Sequence, residues 1–404
     1  MTVIGLKIKK RIIMQVVCAI VIALIPILFS YKQIFSISPT YIVLILLLPY
    51  VALKLISKKC FVFKYQGILF LYLFYMLIDH GITLGEVVVF FLFLIYAFAT
   101  HNRVFNAEIL WKVIVSISCI ATIGVLIQAF FYYGLGQQIL MCPTGMMEPD
   151  VWEQYGVDSS YRAGGHEMFR PAAFFLEPSI YSQYVVLAIM YLRLSEVRTK
   201  KDLQLAIFLS IGIIVSTSGI GIATIVAVWL LSYGKVIFNS KNFLKGFVGV
   251  LFFIVVLIIA FNVSEIFRES ALRIVGLGEH SDYNAIAGRT GGVVFMWNSL
   301  SGSELWFGTG EYISKWYTWG FLGTFFRIIY EYGLIGVSLF TLLFLSPAFF
   351  LKSWQRWMAF YIIVLSLVSG ISIQSTIFYY ILMYSNTKNY SLDHVVHRMN
   401  KAIA

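Results

Sequence analysis

Apolar runs of roughly twenty residues recur along the whole chain, and nothing else in the sequence limits the possible folds as much. A hydrocarbon core of roughly 30 Å is crossed by about 20 helical residues. Within lipid the backbone must satisfy its own amides and carbonyls, so each such run is expected to be an α-helix. The runs predict spans at about 12 to 30, 41 to 57, 66 to 79, 82 to 100, 110 to 133, 178 to 194, 203 to 217, 219 to 233, 246 to 263, 327 to 351, 357 to 371 and 373 to 385. Three pairs are closely coupled: 66 to 100 breaks weakly at Asp79, His80 and Gly81, 203 to 233 turns at Ser218 and Gly219, and 357 to 385 turns near Gly370. The fold class expected is an all-α polytopic membrane protein of about 12 transmembrane helices, with residues 1 to 404 as a single integral membrane domain.

Composition agrees with this reading. Only 12% of the residues are charged and 60% are hydrophobic, whereas a soluble domain carries roughly a quarter charged residues. The first apolar run follows Lys7, Lys9, Lys10 and Arg11 but has no small-residue cleavage site, which reads as a retained signal anchor. Cys18, Cys60, Cys119 and Cys142 are scattered, without the spacing of a disulfide framework or a metal site.

The net charge of +11 is distributed by topology. Placing the N-terminus in the cytoplasm puts 22 of the 30 Lys and Arg residues on the cytoplasmic side, as the positive-inside rule requires. Both termini are then cytoplasmic, and two large loops, 134 to 177 and 264 to 326, face the periplasm. No basic soluble domain exists to hold nucleic acid, so the partner that this charge implies is the lipid bilayer. Six of the eight outer cations are arginine: Arg162, Arg170, Arg268, Arg273, Arg289 and Arg327. Arginine offers a planar fork of donors that suits phosphate and carboxylate.

The first loop ends in Arg170-Pro171-Ala-Ala-Phe-Phe-Leu-Glu177-Pro178-Ser179. Pro178 fits the first helical position, which sets Glu177 at the positive end of a membrane helix. There it either caps the helix or, with Arg170, receives a substrate at the outer membrane boundary. The second loop carries Ala287-Gly288-Arg289-Thr290-Gly291-Gly292, then Trp297, then Gly308-Thr309-Gly310-Glu311. Glycines around an arginine let a backbone approach an oxyanion, the logic of a phosphate nest, although a plain glycine-rich turn reads the same way. The lysine-serine ending of a Walker motif is absent. Trp297, Trp306, Trp316 and Trp319 suit either sugar platforms or an interfacial belt. His166 and His280 are loop histidines able to carry protons near neutral pH. Ser216-Thr217-Ser218-Gly219-Ile220-Gly221 reads as a packing turn. Arg327 and Glu331 stand one helical turn apart, either as an ion pair or as the polar wall of a site.

Taken together, the RPAAFFLEPS segment before a span, the STSGIG turn, the AGRTGG loop and Glu331-Tyr-Gly-Leu-Ile-Gly336 resemble the O-antigen polymerase and ligase superfamily over about 110 to 350. Within it the likeness is to the Wzy-type polymerases. The resemblance implies a bacterial inner-membrane glycosyltransferase with a GT-C-like architecture, no cofactor and no metal. Its substrate would be an undecaprenyl-diphosphate-linked oligosaccharide, polymerised at the periplasmic face, and a chain-length regulator is an implied partner. Catalytic roles fall on Arg170, Glu177 and Arg289, with Arg162, His166, His280, Trp297, Glu311, Arg327 and Glu331 as substrate contacts. Two other expectations are an O-antigen ligase, which moves finished glycan to lipid A core, and a lipid-linked oligosaccharide flippase.

Overall fold

The computed structural model describes residues 3–28, 31, 38–58, 66–79, 84–101, 104–141, 160–163, 166–195, 199–237, 255, 258, 262, 268, 285–310, 322–350, 354–370 and 373–385. The described chain is helical, as the apolar runs predict. Its helices are α1 (Val3–Leu28), α2 (Pro39–Lys58), α3 (Gln66–Asp79), α4 (Leu84–His101), α5 (Ala107–Ala129), α6 (Pro178–Leu194), α7 (Lys200–Val215), α8 (Gly219–Ile237), α9 (Ala285–Ser299), α10 (Ser303–Phe307), α11 (Thr324–Phe350), α12 (Arg356–Val368) and α13 (Ile373–Tyr384). Three helical stretches are long and apolar enough to cross a membrane: Pro39–Ser57, Ala107–Gly134 and Thr324–Ser346. Shorter apolar helices occupy six of the other expected spans, and α6 and α7 occupy those at 178 to 194 and 203 to 217, whereas 246 to 263 lies outside the described residues save for 255, 258 and 262.

Local chemistry sets the helix ends. Asn106 accepts from the amides of Glu108 and Ile109 at 3.0 and 3.2 Å and so starts α5. Thr199 and Asp202 close a reciprocal capping box at the head of α7. The weak breaks behave as expected: α3 stops at Asp79, α7 and α8 turn at Ser216 to Ser218, and α12 and α13 part around Gly370.

The two segments expected to be large loops carry regular structure of their own. A two-stranded antiparallel hairpin forms in the first, β1 (Ser160–Ala163) against β2 (His166–Phe169). The second contains α9 and α10, and α9 includes the AGRTGG segment. Those residues therefore form a helix, and their backbone does not make the expected glycine-rich turn.

The core is centred on α6, where nearly every side chain from Pro178 to Leu194 is buried. A helix covered on all sides lies in the middle of the bundle, and its polar Ser182 and Gln183 find partners within the protein. α6 packs against α5, α7 and α8, while α11 packs against α3, α10 and α12. Lipid tails are as apolar as leucine, so helices gain contact here by close backbone approach at small residues. Gly212 illustrates this, since a Cβ there would lie 2.4 Å from the Tyr181 hydroxyl and 2.6 Å from Thr122 Cγ2. That hydroxyl also shares a 2.8 Å hydrogen bond with Thr122, so α5, α6 and α7 meet at one point. Leu46, Leu53, Ile56, Ile120 and Ile211 point outward from the bundle, which is compatible with a helical membrane protein.

Candidate functional site

The segment before α6 is folded onto the end of α5. The Gln128 amide oxygen accepts from the backbone N–H groups of Ala172 and Ala173, at 3.1 and 2.7 Å, while its nitrogen donates to the Ile139 carbonyl at 3.0 Å. One side chain thus satisfies two buried amides in a stretch that has no regular structure. Ala173 has φ +54 and is buried, a conformation that costs an L-residue about 1–2 kcal/mol. The turn lets Phe175 enter the core beside Tyr181 and Tyr184, with ring centroids 5.8 and 5.4 Å away. Replacing Gln128 by leucine, which leaves both amides unpaired, is expected to cost roughly 2–4 kcal/mol. Thermal unfolding in detergent measures it, and an unchanged midpoint would mean that the turn holds without this bond.

Glu177 occupies the N-cap position of α6 with extended backbone, and Pro178 follows at the first helical position. Its carboxylate makes no capping bond to the helix amides; instead it accepts from the Ser179 hydroxyl at 2.5 Å. Glu177 and Arg170 are both only partly buried. The carboxylate therefore stays at the head of the buried helix without being used up by the helix terminus.

The second half of the site is a break in α11. Gly333 has φ 64 and ψ −169 inside the helix, a region that essentially only glycine enters. Gly308, at the end of α10, has φ 86 and ψ 178, in the same region. The two backbones cross with no room between them. A Cβ on Gly308 would sit 2.3 Å from the Glu331 carbonyl oxygen, and one on Gly333 would sit 2.3 Å from the carbonyl of Trp306. A broken helix within a membrane needs partners for its backbone from outside its own ladder. Here the Thr309 N–H donates to the Tyr330 carbonyl at 2.9 Å and the Gly310 N–H to that of Glu331 at 3.3 Å. The Tyr75 hydroxyl of α3 reaches the carbonyls of both Tyr332 and Phe307, at 3.1 Å each.

Arg327 and Glu331 lie on the turn before this break, with Nε 2.8 Å from Oε1. The pair is unequal in exposure: the Glu331 side chain is 3% exposed and that of Arg327 is 34% exposed. A buried carboxylate is thus neutralised by a cation whose outer part is accessible.

Ser369, at the end of α12, joins the two halves. Its hydroxyl accepts from Gln183 Nε2 on α6 at 2.7 Å, and its carbonyl accepts from the amide and the hydroxyl of Thr324 at the head of α11, at 2.9 and 3.1 Å. The buried Tyr361 hydroxyl donates to the Gln183 carbonyl at 3.0 Å. Gly323 permits this approach, because a Cβ there would be 2.5 Å from the Leu367 carbonyl oxygen. Beside the junction a small cavity is lined by Pro26, Ile180, Gln183, Tyr184, Gly370, Ser375 and Tyr379. The ends of α1, α6, α11, α12 and α13 converge here, with Glu177 heading one helix and Arg327 one turn inside another.

Of the residues chosen from sequence, Arg327 and Glu331 are brought together, Glu177 stands at the head of α6, and Arg170 directly follows β2. Arg162 and Glu167 face each other in the hairpin register, and His166 is opposite Ala163. Arg289 lies on α9, which touches α11, and Trp297 stands half-exposed on the same helix. His280 and Glu311 lie outside the described residues, as do the side chains of Arg162, His166 and Arg289. Sequence reasoning did not single out Gln128, Gln183, Ser369 and Tyr75, which hold the site together. Comparisons with family models, with curated proteins and with solved structures found no match.

Proposed function

We propose that the chain polymerises lipid-linked glycan repeat units, transferring a growing glycan from undecaprenyl diphosphate to the non-reducing end of a new lipid-linked unit. The observation that carries the reading is the junction at Ser369, which ties the helix headed by Glu177 to the helix bearing the Arg327–Glu331 pair. The resemblance of the sequence to Wzy-type polymerases supplies the substrate class. In this reading the chain spans the inner membrane twelve times, both termini are cytoplasmic, and the junction opens to the periplasm.

The reaction makes demands that these residue types meet. The acceptor hydroxyl oxygen attacks the anomeric carbon, the bond from that carbon to the diphosphate breaks, and the lipid diphosphate leaves with the electron pair. The hydroxyl proton passes to a base, and Glu177 at the head of α6 takes that role. Charge gathers on the leaving diphosphate, where Arg170, Arg289 and Arg327 hold it, since oriented cations stabilise developing charge most when water is excluded. Alignment of the two glycans supplies much of the remaining acceleration.

The test is gel analysis of surface glycan from a deletion strain complemented with variants. Arg170→Ala and Arg289→Ala are each expected to leave a folded membrane protein while collapsing the ladder to a single repeat unit. Loss of one cation at a charge-stabilising site lowers turnover by about 10²–10³. A full ladder with either variant rejects that residue's role. Polymerised glycan stranded on the lipid carrier in the deletion strain itself would assign ligation instead.

A further inference from the structure

Trp306 and Phe307 close the short helix α10 and are 57% and 52% exposed. Their backbone does not lie at the surface of a loop. It lies against α11 at Glu331 to Gly333, and Gly333 is nine residues from the start of that helix at Thr324, about 13 Å of helical rise. Tyr75 of α3 holds the Phe307 carbonyl from the other side. α10 is therefore an element that enters the helical layer without crossing it. On α3, which carries Tyr75, Leu71, Phe74 and Ile78 are exposed at the spacing of one helix face.

A cation lies at one end of this strip. Arg327 precedes Tyr332, which is level with Phe307 through their common bond to Tyr75, by five residues or about 7.5 Å along α11. The order from the helix end inward is a partly exposed cation followed by exposed aromatics. That order matches a lipid with an anionic head at the boundary and a chain running inward. The strip is a single helix face wide, which suits a lipid with one chain. Branched methyl groups along such a chain would pack on the rings of Trp306, Phe307 and Phe74.

We propose that Trp306, Phe307 and the Leu71, Phe74 and Ile78 strip seat the polyisoprenoid chain of the lipid-linked glycan, with its diphosphate at Arg327. The inference rests on the polymerase reading and names the part of the chain that would hold the carrier. It also gives the Gly308–Gly333 crossing a purpose, because the crossing fixes α10 at that depth.

The test places a photoreactive amino acid at position 306 or 307 of the full-length protein, in vesicles of phosphatidylethanolamine and phosphatidylglycerol doped with undecaprenyl diphosphate that carries no sugar. Labelling of the polyprenyl probe is expected to exceed its mole fraction by about tenfold, a preference worth about 1.4 kcal/mol. Arg327→Gln should remove most of that enrichment, and a control position at Leu46, exposed on α2, should label lipids in proportion to their abundance. Proportional labelling at 306 and 307 would overturn the inference and make the surface an ordinary lipid contact. The probe has no sugar, so growth is measured separately on the same preparation supplied with lipid-linked repeat units: enrichment with the probe but no growth on those units refutes the polymerase reading and leaves the seat standing. Growth without enrichment does the reverse.

Discussion

Replacing Gly333 by alanine is expected to destabilise the protein by roughly 3 kcal/mol or more, from a backbone region closed to L-residues together with overpacking. The added Cβ would meet the carbonyl carbon and oxygen of Trp306 at 2.3 Å, and these are backbone atoms that no rotamer change can move away. Relief requires α10 to leave α11, which would forfeit the bonds from Thr309 and Gly310 to the Tyr330 and Glu331 carbonyls. Gly308→Ala should fail in the same way, since its Cβ would press on the Glu331 carbonyl from the opposite side. Gly67→Ala is the control, as nothing lies within 4 Å of the Cβ it adds. Unfolding midpoints in detergent measure all three. Wild-type midpoints for Gly333→Ala and Gly308→Ala would show that the crossing is not held in solution.

The second large effect concerns the ion pair, and its size differs between the two partners. Arg327→Met leaves the Glu331 carboxylate, 3% exposed, without the cation beside it, and losing one partner of a buried pair costs roughly 3–5 kcal/mol. Glu331→Met leaves an arginine that is already 34% exposed and can extend its head toward water, so the cost should be nearer about 1 kcal/mol. The double variant should recover most of the stability lost by Arg327→Met, because an apolar pair of similar volume replaces the ions. Glycan growth should stay absent in all three. Stability recovering without activity separates the pair's structural role from its functional one. Equal losses for the two single variants would contradict the burial asymmetry.

The helices were legible because their cause is local. Apolar runs, Pro178 at the head of α6 and Ser218 before Gly219 each act within a turn or two of their own position. The site was legible only where its partners are neighbours in sequence, as Arg327 and Glu331 are. Gly308 and Gly333 stand far apart in the chain, and nothing in either flank announces that they touch. Gln128 reads as one polar residue in an apolar helix, and its bonds to Ala172 and Ala173 belong to the tertiary fold. The AGRTGG segment misled for a physical reason. Each helical glycine costs about 1 kcal/mol relative to alanine, which favours a turn, whereas burial of Met296 and Leu300 against the bundle accompanies a helix through the whole stretch.

The most direct measurement is chain growth by the purified full-length protein in vesicles supplied only with lipid-linked repeat units. A ladder of lengthening glycans is expected to form without added metal or nucleotide and to be lost with Arg327→Met/Glu331→Met despite that variant's recovered stability. Movement of the lipid-linked unit across the vesicle with no growth, or a ladder undiminished in the double variant, would contradict the proposal.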